Sequence, residues 1–187
     1  MKQRITIPRR VALLALFSAG VTATVLDHAI DVPVAKARRG FESRKLAVGQ
    51  FGEIDVFNHF LMPNQSPVKH AGYKSDIWLS SQKTNGPSDL CVQSNVFQPG
   101  GSTGWHTHSG HSLVIVTQGT ITGYDAHDPD CKPHIYVLGM GFVDAGGDHV
   151  HLLRNEGDVV ARTIAVQLIP AAAARWIDVA DPGNCHF

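Results

Sequence analysis

Residues 100–111 read GGSTGWHTHSGH, so two histidines stand one residue apart directly after a glycine-rich turn. Along an extended strand, residues i and i+2 point to the same face, and the imidazoles of His106 and His108 are therefore directed to one side. Neutral imidazole nitrogens are good ligands for transition-metal ions. The stretch predicts a β scaffold that carries a metal site.

A second histidine group follows about forty residues later, where residues 146–155 read GGDHVHLLRN. This group also begins with glycines, and its apolar, β-prone surroundings favour a short strand. Two strands that are separated by a few hairpins can meet across the interior of a barrel. We therefore expect this second histidine group to meet the first inside a barrel.

The chain after residue 40 is a succession of short β-prone runs separated by glycine, proline, asparagine and aspartate. Regularly spaced strands without a helical period predict an all-β sandwich or barrel, with little helix outside the N-terminal segment. The runs are 77–79, 90–97, 113–117, 120–124, 134–138, 141–143, 149–153, 159–168 and 176–179. The apolar residues that we expect to line the barrel are Phe97, Val114, Val116, Val143, Leu153 and Val166.

The N-terminal segment, residues 1–37, has a different composition from the rest of the chain. Cations between Lys2 and Arg10 precede an uncharged apolar stretch from Val11 to Leu26, which is typical of a secretory signal peptide or an N-terminal membrane anchor. We therefore expect export, either secreted or periplasmic, or anchoring to the membrane by this segment. Residues 38–75 are predicted to be an extended arm with loops, and residues 76–187 a barrel with a C-terminal tail.

The charge balance argues against a nucleic-acid partner. The full chain has 16 basic and 16 acidic residues, and five of those cations and two of those anions lie in residues 1–37, so the remainder carries a net charge of −3. A mildly acidic body without a basic stripe does not favour nucleic acid, and it has no charge run suited to a membrane surface. A small-molecule ligand or substrate is the expected partner.

Export changes the interpretation of the three cysteines, since disulfides persist in oxidising compartments. Cys131 and Cys185 both lie in turn-rich segments, and we expect a disulfide between them that pins the C-terminal tail. Cys91 lies in an apolar run and is expected to be buried as a free thiol.

The order Gly100, His106-x-His108, Gly119, and then Gly139 and His151-x-x-x-Asn155, resembles the two sequence motifs of the cupin superfamily. The resemblance covers roughly residues 88–170. It implies a double-stranded β-helix, a jelly-roll barrel, that binds one divalent transition metal, such as Fe, Mn, Zn, Ni or Cu, through His106, His108 and His151. It also implies that Asn155 ends the second motif, and it favours a homodimer formed by strand exchange or edge pairing.

The first motif departs from the family pattern because its glutamate ligand is missing. That glutamate stands three or four residues after the second histidine, where this chain has His111 and Ser112. His111 is either a replacement ligand or acid/base group, or a loop histidine. His149 is either a fourth ligand or a solvated histidine at the mouth of the barrel.

A site of three histidines without a carboxylate is similar to the cysteine dioxygenase type of cupin. This similarity favours a metal-dependent, dioxygenase-like oxidoreductase that acts on a small molecule. The alternative is a non-catalytic cupin that binds a small ligand or the metal itself. Residues 100–104, GGSTG, match the Gly-x-Ser-x-Gly pattern of serine hydrolases, but the neighbouring proline and histidines favour a turn before the histidine strand instead.

Overall fold

The computed structural model describes residues 38–61 and 77–187, all of which belong to one compact unit, residues 33–187. The expected signal segment, residues 1–37, lies outside the described residues. Within the described ranges, no helix is long and apolar enough to cross a membrane.

Twelve strands and no helix form in the described residues. They are β1 (Arg39–Phe51), β2 (Asp55–Leu61), β3 (Ile77–Lys83), β4 (Ser88–Ser102), β5 (His106–Thr107), β6 (Ser112–Gln118), β7 (Thr120–Asp125), β8 (His134–Val137), β9 (Gly141–Asp144), β10 (His151–Arg154), β11 (Ala161–Pro170) and β12 (Ile177–Asp178).

Ten of these strands form one antiparallel sheet in the order β12-β5-β10-β4-β11-β6-β9. Two branches extend this order: β1 pairs with β4, and β7 pairs with β10 and β8. The long strand β4 is central, since it pairs with β1, β11 and the end of β10. The sheet curls into a nearly closed barrel, and the predicted all-β double-stranded β-helix is confirmed.

The core consists of two clusters of buried apolar side chains. One contains Phe97, Val116, Ile121, Leu153 and Ala161, and the other contains Trp105, Tyr124, Leu152 and Cys185. Complete burial of a side chain such as Phe97 stabilises the folded state by roughly 1.5–3 kcal/mol. These clusters give the strands around the histidines a rigid support.

The predicted orientation of Val143 is wrong. Its side chain is 65% exposed, whereas its neighbour Asp144 is only 3% exposed. Side chains alternate between the two faces of a strand. If the predicted alternation is shifted by one residue, every inward-facing residue is assigned to the outside and every outward-facing residue to the inside. In β9 it is Phe142 and Asp144 that turn inward, and a carboxylate therefore enters the barrel.

The segment predicted as an extended arm contains two strands. β1 pairs with β4 from Arg39↔Ser102 to Phe51↔Ser88 and is part of the main sheet. β2 pairs with β3, from Asp55↔Lys83 to Leu61↔Ile77, and every residue of this two-stranded ribbon is exposed. Residues 62–76, which complete the predicted arm and begin the predicted barrel, lie outside the described residues.

The C-terminal tail is fastened as expected, since Cys131 and Cys185 form a disulfide. The side chain of Asn184 strengthens this attachment by donating hydrogen bonds to the carbonyl oxygens of Asp125 at 2.9 Å and Asp128 at 2.7 Å. Cys91 is a buried free thiol.

Candidate metal centre

Backbone contacts bring the two histidine segments together. His151 of β10 stands directly opposite His106 of β5 in the antiparallel register. The turn that precedes β10 is bonded to the first segment, because the amide of Gly147 donates to the carbonyl oxygen of His108 at 2.7 Å. Gly146, in the same turn, has a φ of +67° and lies against the backbone of Gly110, so a side chain has no room there.

The side chains of His106, His108 and His151 converge inside the barrel. Each ring offers a nitrogen, and the three nitrogens lie within 4.8 Å of one another. All three residues are buried, with exposed fractions of 1%, 5% and 6%. Paired motif strands in a β barrel thus deliver three imidazoles to one point.

Hydrogen bonds to backbone carbonyl groups orient two of these rings. Nδ1 of His106 is 3.0 Å from the carbonyl oxygen of Gly104, and Nδ1 of His108 is 2.5 Å from that of Arg175. A carbonyl oxygen only accepts, so each Nδ1 carries a hydrogen, and Nε2 is left for other partners. Metal-binding histidines are oriented in this way by outer partners.

Burial keeps the rings of His106 and His151 in the form that binds metal. Desolvation, reinforced by the nearby His151 and His108, holds the pKa of His106 well below its usual value. Desolvation also lowers the pKa of His151 to about 4, although the charge of Asp144 acts in the opposite direction. Both imidazoles are therefore neutral near pH 7, as metal ligation requires.

The carboxylate of Asp144 also lies beside these histidines, and the sequence did not indicate it. Its Oδ2 lies 2.9 Å from Nε2 of His108, and its Oδ1 lies 3.5 Å from Nδ1 of His151. Burial alone raises the pKa of Asp144, but the contact with His108 and the attraction to His151 lower it below its usual value. A carboxylate therefore lies beside the imidazoles, which the comparison with a carboxylate-free site did not predict. The feature of the sequence that could have indicated it is an acidic residue within a β-prone run.

The donor set suits a divalent transition metal. Imidazole nitrogens and carboxylate oxygens are ligands that zinc, iron, copper and nickel accept. In addition, Nδ1 of His151 and Nδ1 of His149 are buried without a hydrogen-bond partner. A buried polar atom without a partner costs free energy unless a ligand satisfies it, so the site fits a cation.

The structure separates the two histidines whose roles were left open. His149 lies beside the centre: it forms a second possible ligand group with Asp144 and His151, and its Nε2 is 3.3 Å from Oδ2 of Asp125. His111 belongs to neither ligand group found in the described ranges, and it lines a different cavity together with Leu113.

Trp176 is a further residue of the centre that the sequence did not indicate. Its indole stacks on the ring of His106, with centroids 3.6 Å apart and planes at 3°. The guanidinium of Arg38 lies over the indole ring, 4.2 Å from its centroid. Trp105, by contrast, is packed in the core.

Two cavities reach the centre. The space among the three histidines inside the barrel is about 20 Å³. A larger cavity of about 250 Å³ reaches Asp144 and His151 from the side, and the stacked rings of Tyr136 and Phe142, 4.3 Å apart, form part of its wall. A small molecule therefore has room beside the histidines rather than between them.

No family model matches the sequence, and no curated protein matches it. Solved structures match parts of the chain. An oxalate oxidase is 19% identical with a TM-score of 0.37, over 44% of this chain and 46% of that chain. A conserved protein with a double-stranded β-helix domain from Klebsiella pneumoniae is 18% identical with a TM-score of 0.41, over 48% and 75% of the two chains.

A cupin-like protein from Thermotoga maritima is 22% identical with a TM-score of 0.42, over 49% of this chain and 65% of that chain. The matched part thus spans less than half of the oxalate oxidase and about two thirds of the Thermotoga protein.

Proposed function

We propose that the protein is an exported cupin that binds one divalent transition-metal ion through His106, His108 and His151, and that it oxidises a small molecule with dioxygen. The observation that carries this proposal is the convergence of three buried imidazoles from two separate strands. Burying three imidazoles without a shared ion would require a separate partner for each ring nitrogen.

The protein's own contribution is orientation and exclusion of water. The carbonyl groups of Gly104 and Arg175 hold two rings in one tautomer, and the stacked indole of Trp176 covers His106. A divalent transition ion supplies a Lewis acid and a template that brings reactants together. Three protein nitrogens leave coordination positions for other molecules.

The side cavity supports a small substrate. Its volume of about 250 Å³ is below the usual range for drug-sized ligands, so it suits a compact molecule. Tyr136 and Phe142 provide a flat apolar wall, while Asp144 and His151 lie at the end that meets the metal centre. The substrate would therefore reach Asp144 and His151 through this cavity.

The alternative is a cupin that binds metal or a small ligand without turnover. The narrow space of about 20 Å³ among the histidines favours it, because a reactant cannot enter the barrel interior itself. The two functions differ in whether a bound molecule is changed.

Oxygen consumption distinguishes them. The purified protein would be loaded in turn with iron, copper, nickel or manganese and mixed with a panel of thiols, phenols and diketones. We expect oxygen uptake with at least one pair, which His108→Ala abolishes and His127→Ala leaves unchanged, because His127 is an exposed histidine with a side chain 68% exposed. Saturable ligand binding without oxygen uptake would support the binding module instead.

Export is supported by the disulfide between Cys131 and Cys185, since such bonds persist outside the reducing cytosol. Cell fractionation with an antibody against the chain tests it: we expect the protein outside the cytosol, and a purely cytosolic protein would contradict export.

A homodimer is supported by the ribbon of β2 and β3. An isolated two-stranded ribbon is marginally stable, yet this one exposes large apolar side chains on both strands, including Phe57 at 66% and Leu79 at 61%. A contiguous apolar surface of this kind favours contact with another protein surface. We propose that a second copy of the chain covers it.

A further inference from the structure

The first motif lacks a carboxylate at Ser112, but the neighbouring strand carries one at the same level. In the antiparallel pair of β6 and β9, Ser112 stands directly opposite Asp144. Residues opposite each other in such a pair have Cβ atoms roughly 4.5–5.5 Å apart and share a face. Both residues are 3% exposed, and both line the space around the three histidines.

The contacts of Asp144 place both carboxylate oxygens at the centre. Oδ2 lies 2.9 Å from Nε2 of His108, while Oδ1 lies 3.5 Å from Nδ1 of His151 and 3.8 Å from Nδ1 of His149. The amide of Gly146 donates to Oδ1 at 3.1 Å and fixes the direction of the carboxylate.

The contact with His108 brings the carboxylate to the same point as the imidazoles. Oδ2 of Asp144 is 2.9 Å from Nε2 of His108, whose other ring nitrogen lies against the carbonyl of Arg175. Asp144 also belongs, with His149 and His151, to a group whose ligand atoms lie within 4.8 Å of one another. A buried carboxylate is costly unless it is paired or binds a metal ion, and an ion shared with the imidazoles meets that need.

We propose that Asp144 is a metal ligand, and that it supplies from β9 the carboxylate that the first motif does not provide at Ser112. The centre then has three imidazoles and one carboxylate. The carboxylate comes from β9 rather than from the neighbouring strand β6. This inference rests on the proposed metal-binding function. It assigns neither His111 nor His149 to the ion.

The test measures metal affinity rather than turnover. The dissociation constants of Zn²⁺ and Mn²⁺ would be determined by competition with a chromophoric chelator for the wild type, Asp144→Asn, and the matched control Asp148→Asn, which changes an exposed aspartate in the adjoining turn. Loss of an outer partner of a ligand typically weakens metal binding by about 10–100-fold. We expect Asp144→Asn to weaken it by more than about 100-fold and Asp148→Asn to leave it unchanged.

A loss below about 100-fold in folded Asp144→Asn would overturn the inference, while a wild type that binds neither ion would overturn the proposed function instead. A second variant covers the case in which Asp144→Asn does not fold. The double variant Asp144→Ser/Ser112→Glu returns the carboxylate to β6 at the opposite position. It should bind metal more tightly than the single variant Asp144→Ser. If Asp144→Ser does not fold, Asp144→Asn is the reference for this comparison. Equal or weaker binding by the folded double variant would also overturn the inference.

Discussion

Substituting Gly146 by alanine should loosen the connection between the two histidine segments. Gly146 has a φ of +67°, and a Cβ built on it would contact the carbonyl oxygens of Gly110 and, at 3.0 Å, of His108. The turn would therefore have to move away from the backbone of the first segment. That movement would weaken the bond from the amide of Gly147 to His108 and the bond from the amide of Gly146 to Asp144.

The expected magnitude follows from these three effects. A left-handed conformation costs a non-glycine residue about 1–2 kcal/mol, and each weakened hydrogen bond adds about 1 kcal/mol, with more for the bond to the charged carboxylate. Gly146→Ala should thus lower the free energy of unfolding by about 3 kcal/mol or more. Gly147→Ala is the matched control, since Gly147 also has a positive φ, +60°, but nothing lies near its missing Cβ.

Urea unfolding of the two variants, followed by tryptophan fluorescence, measures the difference. We expect Gly147→Ala to lose only about 1–2 kcal/mol, and Gly146→Ala to lose clearly more and to bind Zn²⁺ more weakly as well. Equal losses of stability in the two variants, with unchanged metal affinity, would refute the idea that close packing of this turn positions the centre.

Other properties of the chain yield further predictions. The phenol of Tyr124 should titrate at about 12, because burial and the bond to Glu156 raise its pKa; in an absorbance titration Glu156→Gln should lower that pKa, yet leave it above the ordinary value because burial is the larger cause. Replacing Cys131 and Cys185 together by serine should lower the free energy of unfolding by about 4 kcal/mol, given a sequence separation of 54 residues; an unchanged urea midpoint would contradict this. Phe57→Lys should convert the dimer to a monomer in light scattering, whereas a wild type that is already monomeric would contradict the proposed interface.

The all-β fold could be predicted from local features of the sequence. Runs such as 113–117 and 159–168 were predicted as strands from their β-prone composition and flanking turn residues, and the structure has β6 and β11 there. The convergence of His106 and His108 required only the two-residue period of a strand. The disulfide between Cys131 and Cys185 followed from two cysteines in turn-rich segments of a chain expected to be exported.

The rest of the centre depends on register between distant strands. The four-residue strand β9 is too short for its phase to be read from composition, and Val143 rather than Asp144 was expected to face inward. Trp176 lies in the C-terminal segment, and only the folded chain brings its indole onto His106. Sequence alone therefore predicted the imidazoles but not the carboxylate or the stacked indole.

The metal content of the protein purified without chelators tests the central claim most directly. We expect elemental analysis to find about one divalent transition-metal ion per chain. The variant His151→Ala should lose that ion. Less than about a tenth of an ion per chain, with no uptake when metal is added to the folded protein, would contradict it.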